Sequence, residues 1–166
     1  MWTLPRIALS GLSWPVKQSF ARYVAASPGG GITIGDGAEV LPEWDLVFAP
    51  GASHFDPASG DGELGFRGSV RFTGHFGGLD VTVRDPLLRI SAGAGELEIG
   101  LPGERLRLAT AVCTYSPEPD GSAVWESLTV TLTGEGIALH GGVYDEGTPL
   151  DPFCARLAPA HPGTAQ

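Results

Sequence analysis

Leu64-Gly65-Phe66-Arg67-Gly68-Ser69-Val70-Arg71-Phe72-Thr73-Gly74-His75 is the stretch from which the fold is read. Its large apolar side chains are Leu64, Phe66, Val70 and Phe72, and Arg67, Ser69, Arg71 and Thr73 alternate with them. Successive side chains of a strand point to opposite faces, so this period of two describes a half-buried β-strand. The pattern returns further on, with Val124, Glu126, Leu128, Val130 and Leu132 on one parity and Ser127, Thr129 and Thr131 on the other. Shorter strands are expected near residues 32–34, 45–48, 79–83, 87–90, 96–99, 106–114 and 152–157. Gly35-Asp36-Gly37, Asp61-Gly62 and Asp120-Gly121 mark turns among them. About eight to eleven short strands make the chain mainly β, an antiparallel sandwich or barrel-like domain.

One segment breaks the alternation. Val16, Phe20, Tyr23 and Val24 recur at helical spacing, Ser13 is a candidate N-cap, and Pro15 suits a first turn. Ser27-Pro28-Gly29-Gly30-Gly31 ends the pattern, which places a helix over residues 14–26. Ser19 and Tyr23 are four apart and share one face of it. A second short helix is expected at Gly134–Leu139, before the loop His140-Gly141-Gly142-Val143-Tyr144. Residues 1–158 read as a single domain and 159–166 as a frayed tail.

Composition agrees with many turns and one core: 166 residues, 42% of them apolar, with 25 Gly and 14 Pro. The net charge of -9 opposes the phosphate backbone of nucleic acid and anionic membrane surfaces. A small anionic ligand remains compatible, because only charges within about 10 Å of it escape screening. Cys113 and Cys154 show no zinc-ligand spacing and sit in apolar strand-like stretches, so they read as buried free thiols rather than a disulfide. No apolar run approaches the roughly 18 residues of a membrane span. The N-terminal heptapeptide Met1-Trp2-Thr3-Leu4-Pro5-Arg6-Ile7 has neither the basic nor the apolar region of a secretory signal. As written the chain reads as soluble and cytoplasmic, and a secreted or envelope protein whose leader was removed stays open.

An enzyme has no positive signal here. There is no GxSxG elbow, HExxH helix, Walker loop or well-placed GxGxxG. Asp56, Asp80, Asp85 and Asp151 lie beside Gly or Pro in contexts that turns and caps explain. Tyr23 shares its stripe with Phe20 and Val24, which by itself describes a core aromatic. His75 by itself describes a histidine at a strand end.

Ordered agreement along the chain changes that reading. The segments Leu12-Ser13-Trp14-Pro15-Val16-Lys17-Gln18-Ser19-Phe20-Ala21-Arg22-Tyr23-Val24, Gly68-Ser69-Val70-Arg71-Phe72-Thr73-Gly74-His75 and Leu79-Asp80-Val81-Thr82-Val83-Arg84-Asp85-Pro86 resemble the HtaA domain, the haem-binding module of Gram-positive haem-uptake proteins. The likeness continues through Leu132-Thr133-Gly134-Glu135-Gly136, Gly141-Gly142-Val143-Tyr144 and Gly147-Thr148-Pro149-Leu150-Asp151-Pro152, covering about residues 12 to 157. The resemblance implies ferric haem b as ligand, Tyr23 as axial ligand of its iron, His75 as hydrogen-bond partner of that tyrosine, and Ser19 as a further member of the site. Phenolate is a hard anionic donor that haem proteins employ, and iron and a hydrogen-bond donor both favour it over phenol. Such a ligand holds Fe(III) in preference to Fe(II), which suits non-enzymatic transport, uptake or buffering.

Phe20, Phe55, Phe72 and Phe76 are candidates to pack on the macrocycle, with core packing as the alternative role of each. Arg67, Arg71 and His75 share parity, so a regular strand would bring Arg71 toward a propionate; a solvated outer face is the alternative. Members of the family usually follow a secretory signal and are tied to the envelope, features this sequence does not display, so an intracellular carrier or a fragment of a larger secreted protein is expected. Partners implied are haem and other haem carriers or transporters, and a homodimer stacked on exposed haem faces is open to a shallow site. A structural or protein-interaction module on the same scaffold, without haem, is the alternative function.

Overall fold

A computed structural model describes residues 10–42, 45–101, 103–139 and 145–159, apart from the side chains of 137–139. In chain order the elements are β1 (Gly11–Ser13), α1 (Gln18–Ala26), β2 (Gly31–Gly35), β3 (Ala38–Leu41), β4 (Asp45–Phe55), β5 (Gly62–Arg67) and β6 (Ser69–Gly74). A 3₁₀ turn, His75–Gly77, leads to β7 (Leu79–Arg84), β8 (Leu87–Ser91), β9 (Ala94–Leu101), β10 (Glu104–Pro117) and β11 (Ala123–Leu132). The remaining elements are α2 (Gly134–Leu139), β12 (Pro149–Leu150) and β13 (Phe153–Leu157). The chain is thus mainly β and antiparallel, as its alternation predicts. The short strands β1, β3 and β12 carry too few residues to show a period in sequence.

The larger sheet runs β1-β13-β11-β10-β9-β8-β5-β4, and β1 then pairs with β4 through Leu12 opposite Phe48 and Ser13 opposite Val47. That pairing closes an eight-stranded barrel and removes its free edges. β3 extends it beside β4, and β12 lies against β11. Its interior is filled by Phe48, Leu64, Leu88, Leu97, Ile99, Leu108 and Trp125, all fully buried. The indole N–H of Trp125 donates to the Gly60 carbonyl at 2.9 Å, so the one polar atom of that large ring is satisfied.

A second sheet, ordered β2-β6-β7, carries the helix α1. The stretch 64–75 is therefore two strands rather than one, since β5 belongs to the barrel and β6 to the small sheet. Gly68 makes the passage between them: its φ is +138°, and a Cβ there would stand 2.7 Å from the Ala38 nitrogen. Asp85 accepts the Gly68 N–H at 3.0 Å and holds the crossing.

Two other expectations are corrected. The helix begins at Gln18, four residues later than its apolar spacing suggests, because Leu12, Ser13 and the fully buried Trp14 are drawn into the barrel seam. Ser13 is no N-cap; its hydroxyl donates to Asp45 at 3.1 Å. In β11 the apolar face switches midway. Val112 faces Thr129 while Thr114 faces Glu126, so β11 carries one extra residue, a bulge that turns Trp125 and Ser127 inward and leaves Leu128 85% exposed. Cys113 and Cys154 are buried and not joined in a disulfide, and burial pushes the Cys113 thiol up to about 11. α2 forms at Gly134–Leu139 as expected, while the loop 140–144 and most of the tail, 160–166, lie outside the described residues.

Candidate functional site

The helix α1 reaches its place by packing and by two close approaches. Phe20, Ala21 and Val24 form its buried side, and Phe20 meets Phe72 of β6 edge to face with ring centres 5.3 Å apart. Beyond the helix, a Cβ on Gly30 would lie 1.9 Å from the Val24 carbonyl oxygen, so only glycine lets the chain turn back into β2. A Cβ on Gly74 would lie 2.4 Å from the Ser27 hydroxyl, so the C-terminal end of α1 rests against the bare backbone at the end of β6. The helix start is fixed from far away. Asp151 accepts the Gln18 N–H at 2.8 Å, and its own backbone binds the Val16 carbonyl and the Trp14 indole.

His75 and Phe76 both have φ of +52°, the left-handed region that non-glycine residues adopt at a cost of about 1 to 3 kcal/mol each. Phe76 N–H donates to the Pro28 carbonyl at 3.2 Å and Gly78 N–H to the His75 carbonyl at 3.0 Å, so the turn is tied both to itself and to the loop after α1. The result is that His75 Nε2 stands 2.6 Å from the Tyr23 hydroxyl, with the rings 5.6 Å apart and inclined at 52°. Neither is a core residue: Tyr23 is 46% exposed, and His75 is exposed as well. The phenol can donate its proton to Nε2, or the phenolate can accept an N–H from Nε2, so one contact serves both protonation states of the oxygen.

The other candidates fall into distinct places. Ser19 lies exposed on α1 one turn before Tyr23. Phe20 and Phe72 are fully buried beneath the pair and support it from the core. Phe76 is 83% exposed, its ring resting on Gly29 at the edge of the pair. Phe55 belongs elsewhere, stacked edge-on against Trp125 and Tyr115 in the barrel. Arg71 lies exposed on the strand and is held in a two-point ion pair with Asp80 of β7, Nε to Oδ1 at 2.9 Å and Nη2 to Oδ2 at 2.7 Å. The hydrogen bond from Arg71, joined by its charge, holds the Asp80 carboxyl below the ordinary carboxylate range. Asp80 thus sits within a strand rather than a turn, while Asp56, Asp85 and Asp151 accept backbone N–H groups as turn and cap residues do. The capping role of Asp151 has no local signal, because 133 residues separate it from its partner.

An exposed tyrosine held by histidine, on a helix and a turn that a small sheet brings together, can now be set beside other proteins. The HtaA family profile matches residues 10–155. The chain belongs to the HtaA family. Among solved structures it is similar to the C-terminal domain of HtaA from Corynebacterium glutamicum, at 25% identity and a TM-score of 0.76, covering 87% of this chain and 93% of that one. The N-terminal domain of the same HtaA gives 26% identity and a TM-score of 0.75, over 90% of this chain and 96% of that chain. HtaB from C. glutamicum, described as a heme binding protein, shares the fold at 19% identity and a TM-score of 0.65, covering 88% and 92%. No curated protein sequence matches.

Proposed function

We propose that this HtaA-family protein binds ferric haem without transforming it, as a carrier or buffer, through the Tyr23 phenolate supported by His75. One observation carries the reading: an exposed tyrosine oxygen, 2.6 Å from a histidine nitrogen, at the meeting of a helix and a strained turn. Membership of the family supports it, as does the heme-binding description of HtaB.

The donor set fits the group. Tyr23 offers a single hard oxygen at the surface, and the exposed Phe76 ring, next to His75 in the chain, gives a flat apolar ligand something to cover. Ferric iron, when bound, supplies positive charge that favours phenolate over phenol. His75 then donates Nε2–H to the phenolate and holds its direction, as an outer partner of a metal ligand does. Phe20 and Phe72 keep α1 seated on β6, so the oxygen is positioned before the ligand arrives. A phenolate donor would favour Fe(III) over Fe(II).

The test is a haemin titration. Wild type is expected to give a high-spin, tyrosinate-type visible spectrum, Tyr23→Phe to lose it with stability changed by no more than about 0.5 kcal/mol, and His75→Ala to weaken it. A spectrum indifferent to Tyr23→Phe sinks the assignment. Absence of any Soret shift in wild type would leave the scaffold as an interaction module.

A further inference from the structure

Among the described residues, the arginines other than Arg22 are all engaged. Arg71, Arg84, Arg89, Arg105, Arg107 and Arg156 pair with carboxylates, and Arg67 donates to the Pro50 carbonyl. Lys17 donates to the Pro149 carbonyl. Arg22 makes no hydrogen bond or ion pair within the described structure, and it stands next to Tyr23 on the exposed side of α1. In a chain with 19 acidic and 10 basic side chains, a cation left without a carboxylate is available to an anion from outside.

We infer that Arg22 binds a carboxylate at the rim of the ligand held by Tyr23, a propionate of ferric haem, and so selects for the free-acid form of the porphyrin. The inference rests on the haem reading and adds its anionic contact. Ser19, Arg22, Tyr23 and Ala26 make one exposed stripe of the helix, while Phe20, Ala21 and Val24 make the buried one. Arg22 lies three residues after Ser19 and directly before Tyr23 on the exposed side of the helix, and helical side chains lean toward the N-terminus, so its guanidinium can reach over the turn that carries Ser19. Phe76, next to His75 in the chain, is exposed as well. The exposed surface around Tyr23 and His75 therefore offers a cation and an apolar ring, groups that suit the propionates and the hydrocarbon of a porphyrin. Arg71, on β6 of the small sheet, is already committed to Asp80 through two hydrogen bonds and would have to give up that pair first.

Net charge makes this local cation matter more. At -9 the protein's field opposes a dianionic ligand at long range, and Arg22 offsets that field where the ligand docks. Titrating haemin and haemin dimethyl ester into wild type, Arg22→Gln, Arg22→Lys and Tyr23→Phe tests the assignment. Arg22→Gln is expected to weaken haemin about three- to tenfold at low ionic strength, with the gap narrowing as salt is added. The ester should bind wild type and Arg22→Gln equally, and Arg22→Lys should recover most of the haemin affinity. Equal losses for haemin and ester, or unchanged haemin affinity in Arg22→Gln, overturn the role of Arg22 while leaving Tyr23 intact. A wild type that shows no Soret shift, or one indifferent to Tyr23→Phe, overturns the haem reading itself and Arg22 with it.

Discussion

On the barrel, the side chains answer one another. Arg89 reaches Glu63 and Glu98, Arg107 reaches Glu96, and the large ring of Trp125 is buried with its N–H bonded. Across the small sheet and its helix the same alternation produces a buried side of Phe20 and Phe72, but the outer rim is left open. Tyr23, His75 and Phe76 stand exposed there, two of them in left-handed backbone, and Arg22 has no acidic partner among the described residues. The difference separates the part that holds the fold together from the part that carries the proposed site. The closed ring carries most of the buried apolar side chains, and the appended layer carries the exposed Tyr23 and His75 pair.

Trp125→Ala should give the largest loss of stability, about 3 to 5 kcal/mol, since it empties a large fully buried site and orphans the Gly60 carbonyl. Urea denaturation measures it, and a loss under about 1 kcal/mol would break the view that the barrel carries stability. Gly74→Ala should cost about 1 to 3 kcal/mol by wedging Ser27 from β6. Because that wedge parts Tyr23 from His75, haemin affinity should fall with it, unlike in Trp125→Ala protein that remains folded. Asp151→Ala removes the acceptor for the Gln18 N–H and should cost about 1 kcal/mol, read as a lower midpoint in the same denaturation experiment.

The smallest effect belongs to Asp80. Its carboxyl is held below the usual range by Arg71, so the folded protein keeps it ionised in acid where the unfolded chain protonates it. Its contribution is therefore present above the ordinary carboxylate range and disappears as pH falls through the lowered value. Both partners are solvent-facing, so salt should shrink it too. Thermal melts of wild type and Asp80→Asn should differ slightly at neutral pH and converge in acid. A gap that widens in acid would contradict the sign.

How much of this could be read beforehand depends on the range over which each feature is specified. The alternation in 64–75 names the right inward residues, Leu64, Phe66, Val70 and Phe72, although the strand changes sheets at Gly68. In 124–132 the same rule picks the wrong face for Glu126 and Leu128, because one bulged residue in β11 inverts the parity without a mark in composition. The helix was legible from its apolar spacing, but its first turn was not, since the sequence around Ser13 and Trp14 competes successfully for the barrel. Of the site, the Ser19 and Tyr23 face follows from helical spacing alone. The tie to His75 needed either resemblance or the tertiary structure, and so did the absence of an acidic partner for Arg22 among the described residues, because pairing depends on every acidic residue that folds nearby.

The amino-acid order by itself settles the periods: two along the strands, 3.6 along α1, glycine where the backbone must turn or pass closely. These are local because each is set by sterics and burial within a few residues. Tertiary structure alone decides that β1 pairs with β4 to close the ring, that Asp151 caps a helix 133 residues before it, and that Tyr23 meets His75 across 52. Those outcomes rest on register and on the positions of many segments at once. No window of the sequence contains them, and the site exists only where they coincide.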